Sequence, residues 1–344
     1  MNIVDFSNCI ENDRSYGGNA GEKLGVIYQN ENWLLKFPKS TKYFDNVGLS
    51  YTTSALSEFI GSHIYDILNI PVHETLLGIM DGKLVVACKD FLEKGEELKE
   101  FRQLKNMYNR ELTDLLAKSD SGGSGDGTNL KVVLSVIEKN KILSTIPQAK
   151  ERFWEMFIVD AFINNNDRNN GNWGVILGKD GSYRLAPVYD NGNSFSNKMT
   201  DQEALRKMRN PEALDGAAFN IFSAFFDEEE RQIAPFRFLK TMEDADCLAA
   251  MKRIVPTIHE QMDRIRDFVS GIPEEHKGCL IISSPYKKFI LETLSMREKK
   301  LGAILKEHVL VKNKGIKGNM QVANERSARN DHRAVKSKIQ THER

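Results

Sequence analysis

The sequence predicts an α+β protein of two lobes: a small antiparallel β lobe with one inserted helix over residues 1–92, and a mostly helical lobe over residues 93–311, with a basic tail at 312–344. Three observations predict it. Two pairs of β-prone runs joined by tight turns fill the segment before residue 92. Apolar residues then recur at helical spacing in several long segments. Between two of those segments stands "AFINNNDRNNGNWGVIL", residues 161–177, whose Asn-, Asp- and Gly-rich centre is poor helix and poor strand material.

In chain order, "KLGVIYQNENWLLKFP" has two apolar runs, Leu24 to Tyr28 and Trp33 to Phe37, joined by a short Gln-Asn-Glu-Asn turn, and reads as a hairpin. In "SALSEFIGSHIYDILNI", Leu56, Phe59, Ile60, Ile64, Ile67 and Leu68 recur at helical spacing, and Pro71 ends the helix. A second hairpin follows in "HETLLGIMDGKLVVACKDF", where Asp81-Gly82 supplies the positive φ angles of a two-residue turn. Helical patterns cover 97 to 118, 129 to 141 and 147 to 164, and "SDSGGSGDG", Ser119 to Gly127, reads as a mobile loop. Two short strands, "WGVIL" and "SYRLAPVYD", follow the Asn-rich segment, with a Lys-Asp-Gly-Ser turn between them. From Ala204 onward the pattern returns to amphipathic helices, the last from about Pro285 to Val311. The final segment is basic, poor in aromatics and aperiodic, and reads as a disordered tail.

The bulk properties exclude more than they assign. With 344 residues, 40% of them apolar, the chain can bury a sizeable core. Its net charge of zero gives no global attraction to nucleic acid or anionic membrane, and the aromatic-poor tail does not change that. The cysteines, Cys9, Cys88, Cys247 and Cys279, are too far apart for a short-spaced zinc site and read as reduced thiols. "MNIVDFSNCIENDR" is not a secretory signal, and there is no apolar run long enough to span a membrane. A cytoplasmic protein without a membrane partner is expected.

Chemistry concentrates in the Asn-rich segment. Asp167 is followed five positions later by Asn172, the spacing at which the catalytic loop of protein kinases presents a base to the attacking hydroxyl and an oxygen ligand to magnesium. Gly171 frees the backbone to turn between them. Taken by itself, the segment is equally an Asn-rich helix-to-strand turn. A calcium loop fails, because the sixth position is Asn170 rather than Gly and the twelfth is Ile176 rather than Glu. Downstream, "VYDNG" places Asp190 at the end of the second strand, where a hairpin can fold it back beside Asn172 as a second metal carboxylate. Upstream, Gly17, Gly18 and Gly21 precede the first hairpin, where bare amides can approach phosphate, although no Walker pattern is present. Lys36 lies within the apolar strand "WLLKF", like the strand lysine that holds nucleotide phosphates, and burial demands a partner, for which Glu58 on the helix is the candidate. Each of these signals is weak alone; their order is that of a two-lobed, protein-kinase-like fold. Val86 to Phe91, "VACKDF", then becomes the hinge, with Ala87, Cys88, Lys89, Asp90 and Phe91 around the adenine.

On "GGNAGEKLGVIY", "WLLKFP", "SEFIGSHIYDILNI", "VVACKDF", "NNDRNNGNWG" and "LAPVYDNG", the chain resembles the HipA-like serine/threonine kinases, most closely their CtkA branch, over roughly residues 3 to 310. The resemblance implies a kinase that uses ATP and Mg2+, transfers the γ-phosphate to Ser/Thr hydroxyls of a protein substrate, and autophosphorylates. It implies Asp167 as catalytic base, Asn172 and Asp190 as magnesium ligands, Lys36 on the nucleotide phosphates and Lys23 assisting. Many relatives carry a histidine two positions after the catalytic Asp; here Asn169 takes that nucleotide-side position, which implies weaker activity. Two alternatives stay open: a small-molecule phosphotransferase of the aminoglycoside- or lipid-kinase kind, for which the acidic "FDEEE", Phe226 to Glu230, offers a cationic-acceptor site, and a nucleotide-binding pseudokinase. Ser15 and Tyr16, beside the Gly-rich segment, are candidate autoregulatory phosphosites.

Overall fold

A computed structural model of the chain describes residues 1–14, 22–42, 49–111 and 128–310. Gly17, Gly18, Gly21, Ser15, Tyr16, the 119–127 segment and the tail from 311 onward lie outside the described residues. Two short strands, β1 (Val4–Asp5) and β2 (Ile10–Glu11), precede the first hairpin of β3 (Lys23–Tyr28) and β4 (Glu31–Lys36). Its turn is Gln29-Asn30 alone, not four residues, because both adopt left-handed φ, 51° and 63°, which matches the strand twist and pairs Tyr28 with Glu31. Helix α1 (Ser54–Ile67) follows, and Asn69, with φ of 58°, turns the chain before Pro71. The second hairpin, β5 (Thr75–Met80) and β6 (Lys83–Lys89), turns at Asp81-Gly82 as expected. The sheet order is β1-β5-β6-β4-β3-β2. One edge departs from the antiparallel expectation: β1 runs parallel to β5.

Where a helix is expected from residue 97, the chain first forms β7 (Glu97–Glu100) and only then α2 (Phe101–Glu111). Tertiary pairing overrides the helix preference of Glu and Lys, because β7 completes an antiparallel sheet with β9 (Gly174–Leu177) and β10 (Tyr183–Leu185). Between them come the two-residue β8 (Thr128–Asn129), α3 (Leu130–Lys139) and α4 (Ala149–Ile163). Helices α5 (Asp201–Arg209) and α6 (Pro211–Phe219), strand β11 (Phe225–Phe226), helices α7 (Pro235–Thr241) and α8 (Ala245–Ser270), and a last helix, α9, over residues 284–310 complete the order. No helix among the described residues is long and apolar enough to cross a membrane. The four cysteines are free thiols.

α4 is buried on nearly every side, as a helix without a polar face must be, and is the post around which the helical part packs. Its Phe153, Trp154 and Phe157 pack against Phe225 and Phe238 with centroid separations of 5.3 to 6.1 Å. α1 bridges the sheet to this core: Phe59 and His63 pack on Phe268 of α8, the latter ring stacked at 4.8 Å. At its C-terminus α4 leaves carbonyls that no helical N–H can reach. Arg297 of α9, 1% exposed, supplies donors: its Nε bonds Ala218 O at 2.9 Å, and Nη2 and Nη1 reach Ala217 O at 3.1 Å and Phe162 O at 3.4 Å. One cation thus closes the negative ends of α6 and α4, and its burial pushes the guanidinium down to about 9. Arg297→Met is expected to lose about 2–4 kcal/mol, since buried carbonyls lose their donor. Urea unfolding checks this: the midpoint falls at constant slope, and an unchanged midpoint would show that the guanidinium anchors nothing.

Candidate active site

The loop after α4 is built from amides for a physical reason. Asn164 caps the helix in the left-handed region, φ 57°, a conformation that asparagine tolerates. Asn165, buried, donates to Asp160 Oδ1 at 3.1 Å and accepts the Asp167 N–H at 3.1 Å. Asn172 donates to Asp167 O at 2.6 Å, so the five-residue spacing closes a ring. Asn169 donates to Asp167 Oδ1 at 2.9 Å and accepts the Gly171 N–H at 2.8 Å. The residue read from sequence as a departure therefore orients the Asp167 carboxylate. Burial pushes the Asp167 carboxyl up from its ordinary value, and the Asn169 hydrogen bond opposes it.

Arg168, between them, was not singled out by the sequence, yet it organises the loop. It is 1% exposed, grips Asp160 through Nε at 2.9 Å and Nη2 at 3.1 Å, and donates to Asn172 O at 2.9 Å, to Tyr189 O and to Asn191 Oδ1. Tyr65 of α1 donates to the same Asp160 at 2.8 Å. The β9–β10 hairpin then brings Asp190 back with φ 63°.

Lys36, Glu58 and Asp190, from a strand, a helix and a loop, meet. Lys36 Nζ lies 2.8 Å from Asp190 Oδ1 and 3.2 Å from Glu58 Oε2. Burial alone would lower the Lys36 pKa, but Asp190 and Glu58 outweigh it and hold the ammonium well above the ordinary lysine range. Burial likewise resists ionising Glu58 and Asp190, and Lys36 prevails by holding both carboxyls below their usual values. Lys23 stands directly across the ladder from Lys36; burial, then that like charge, pushes its pKa down. The other Glu58 oxygen, Oε1, lies 2.9 Å from His73 Nε2, which is 3.1 Å from Ser62 Oγ, and Asn191 donates to that hydroxyl at 3.0 Å. Glycines make room: a Cβ on Gly61 would sit 2.9 Å from the Asn191 Cβ, and one on Gly192 3.2 Å from Glu58 Oε2. A continuous polar chain thus joins Asp160, Arg168, Asn191, Ser62, His73, Glu58 and Lys36. Ser62, His73, Arg168 and Asn191 were missed from sequence; only an uncompensated polar side chain inside an apolar helix, Ser62, hinted at it.

Of the expected hinge, Ala87, Cys88 and Lys89 are ladder residues of β6, facing Leu35, Leu34 and Trp33 of β4, so their backbones serve the sheet. The chain leaves the sheet at Asp90, whose N–H donates to Asn32 O and whose Oδ1 accepts the Leu92 N–H, and the Phe91 ring lies 5.8 Å from Tyr189. Glu58, His73 and Cys88 bring donor atoms within 4.8 Å of one another. They do not suit a metal, because burial pushes the Cys88 thiol far up and Lys36 already compensates Glu58. The amide oxygen of Asn172 and the carboxylate of Asp190 are, by contrast, hard oxygen donors of the kind magnesium takes.

A lysine held between two carboxylates, a carboxylate in a closed Asp-to-Asn loop, and a small sheet set against a helical body define a kinase-like phosphotransferase fold. No family model matches the chain. It is 32% identical, over 305 residues, to the serine/threonine-protein kinase CtkA of Helicobacter pylori, covering 88% of this chain and 87% of that protein. The crystal structure of the Helicobacter pylori proinflammatory kinase CtkA matches at a TM-score of 0.78 and 30% identity, over 90% of this chain and 99% of that one. HipA of Shewanella oneidensis, solved with HipB and its operator DNA, matches at a TM-score of 0.53 and 14% identity, over 85% of this chain and 67% of that one, a likeness of fold. The chain belongs to the CtkA branch of the HipA-like serine/threonine-protein kinases.

Two outcomes follow from the geometry. Asn169→Ala removes a hydrogen bond that favours ionised Asp167, so the Asp167 pKa rises and the acid limb of a kcat/KM–pH profile moves to higher pH. An unmoved limb refutes the orienting role. Asn191→Leu cuts the polar chain at its centre, and the KM for ATP rises about tenfold, about 1.4 kcal/mol; an ATP titration of the variant reads this directly, and an unchanged KM refutes the coupling.

Proposed function

We propose that this kinase transfers the γ-phosphate of ATP, with Mg2+, to Ser/Thr hydroxyls, including its own, and that nucleotide binds between an N-lobe of residues 1–92 and a C-lobe of residues 93–311. The observation that carries this reading is Lys36 Nζ set 2.8 Å from Asp190 and 3.2 Å from Glu58. Lys36 is partly buried, and one carboxylate, Glu58, is enough to balance its charge. The second, Asp190, is then left over as a hard oxygen donor for the Mg2+ that would accompany a polyanionic nucleotide.

In this reading Asp167 accepts the proton of the attacking hydroxyl as that oxygen bonds the γ-phosphorus and the bond to the ADP oxygen breaks. Lys36 holds the phosphates, Glu58 holds Lys36, and Lys23, whose charge is destabilised by burial and by Lys36, gains most when a phosphate arrives. Asn172 and Asp190 are the metal ligands; bound Mg2+ supplies charge neutralisation on the phosphates. Adenine recognition falls to the segment from Asp90 and Phe91, with Ala87, Cys88 and Lys89 as its strand-side wall and Gly17, Gly18 and Gly21 over the phosphates. The acidic stretch that favoured a cationic small-molecule acceptor is spoken for: Asp227 and Glu229 pair with Arg231, and Glu228 with Lys131.

Full-length protein incubated with labelled ATP and a generic acceptor protein tests the reading. Asp167→Asn is expected to lower kcat by about 100- to 10,000-fold, and Asp190→Ala or EDTA to abolish transfer. Wild-type transfer by Asp167→Asn, or undiminished transfer in EDTA, would overturn it.

A further inference from the structure

Helix α5, which follows the Asp190–Gly192 segment, separates its charges. Its carboxylates lie in the first turn, where Glu203 completes a capping box with Thr200 at 2.9 Å and Asp201 accepts the Ser283 hydroxyl. Its cations, Arg206, Lys207 and Arg209, lie in the last. Among the described residues none of the three makes an ion pair. Cations favour a helix C-terminus in any case, so their placement alone assigns nothing. Lys207, however, is half-buried and lines a cavity of about 520 Å³.

That cavity opens beside the catalytic loop. Asn164 and Asn166, just before Asp167, form one side, and Ser196, Asn220 and Phe222 stand on others. Lys207 is its single charged group among the described residues, and no carboxylate lines it. Its wall is set rather than pliable. Phe195 and Ser196 are both held at left-handed φ, 57° and 58°, which costs non-glycine residues energy and persists only where surroundings enforce it. Here the Phe195 N–H donates to Ile163 O at 3.0 Å, the Tyr286 hydroxyl donates to Phe195 O at 2.9 Å, and Asn164 donates to Ser196 Oγ at 3.3 Å. Phe222, 49% exposed, offers an apolar rim.

We propose that this cavity is the acceptor-peptide site and that it selects Ser/Thr in an acidic context. Lys207 binds a carboxylate side chain flanking the acceptor hydroxyl, Arg206 and Arg209 extend the positive field outside the cavity, and Phe222 takes an apolar neighbour. The amides of Asn164 and Asn166 hold the peptide backbone next to Asp167. The inference rests on the phosphotransfer reading with Asp167 as base. It sets a preference where the neutral chain as a whole has none, because a charge placed at the site discriminates and the net charge does not.

Two peptides of equal length, each with one Ser flanked by Glu or by Lys, test it on the full chain with saturating ATP. The Glu peptide is expected to show a KM at least about tenfold lower, a gap that narrows as salt rises. Lys207→Glu is expected to reverse the order, Lys207→Ala to erase it, and Lys252→Glu, exposed on α8 and outside the cavity lining, to leave it intact. Equal KM values, a preference for Lys, or no reversal in Lys207→Glu would sink the inference while leaving phosphotransfer standing. Absence of transfer to either peptide together with absence of ATP turnover would sink both.

Discussion

Arg168 is the constraint on which the rest of the site depends. A guanidinium at 1% exposure is tolerated only if its charge and its N–H groups all find partners. Asp160 takes the charge through a two-point fork, and the remaining donors reach Asn172 O, Tyr189 O and Asn191 Oδ1. Those acceptors belong to the catalytic loop and to the segment bearing Asp190. Satisfying one buried cation therefore sets the spacing between the Asp167–Asn172 loop and the segment bearing Asp190. A lysine, lacking the planar fork, would leave most of these acceptors unmet.

A second cation completes the arrangement from the sheet side. Lys36 enters from β4 and is compensated by Glu58 of α1 and by Asp190. Because α1 also carries Ser62, and His73 lies just before β5, the same few residues tie helix, sheet and loop together. The close approach needed for this explains two glycines better than turn propensity does: Gly61 and Gly192 sit where any Cβ would press on Asn191 or Glu58.

How much of this was legible in the sequence depended on the distance between partners. The hairpins, α1, α4 and the Lys36–Glu58 pairing follow from local period, turn chemistry and the cost of burying a strand lysine. Asn165 and Asn172 act within their own loop, so an amide-rich turn already announced them. Arg168, His73, Ser62 and Asn191 were opaque, because Asn191 and Ser62 are 129 positions apart and neither carries a signal of its partner. β7 was misread as helix for a similar reason: its strand character comes from β9, not from Glu and Lys. Asn169 was read through what it replaces, whereas its two hydrogen bonds are local and give it a positive role.

In protein kinases generally an aromatic residue follows the metal-binding Asp, and its packing sets whether the site is assembled. Here Asn191 occupies that place, buried, accepting from Arg168 and donating to Ser62. Apolar packing tolerates sliding, because dispersion contacts are many and individually weak. A hydrogen-bonded amide in a low-dielectric interior does not, since displacement leaves buried polar atoms unmet on both sides. A polar coupler of this kind makes assembly of the Lys36, Glu58 and Asp190 cluster closer to all-or-none. Displacing Asn191 removes one partner from Arg168 and one from Ser62 at once, so intermediate arrangements carry the cost of both losses without the gain of either.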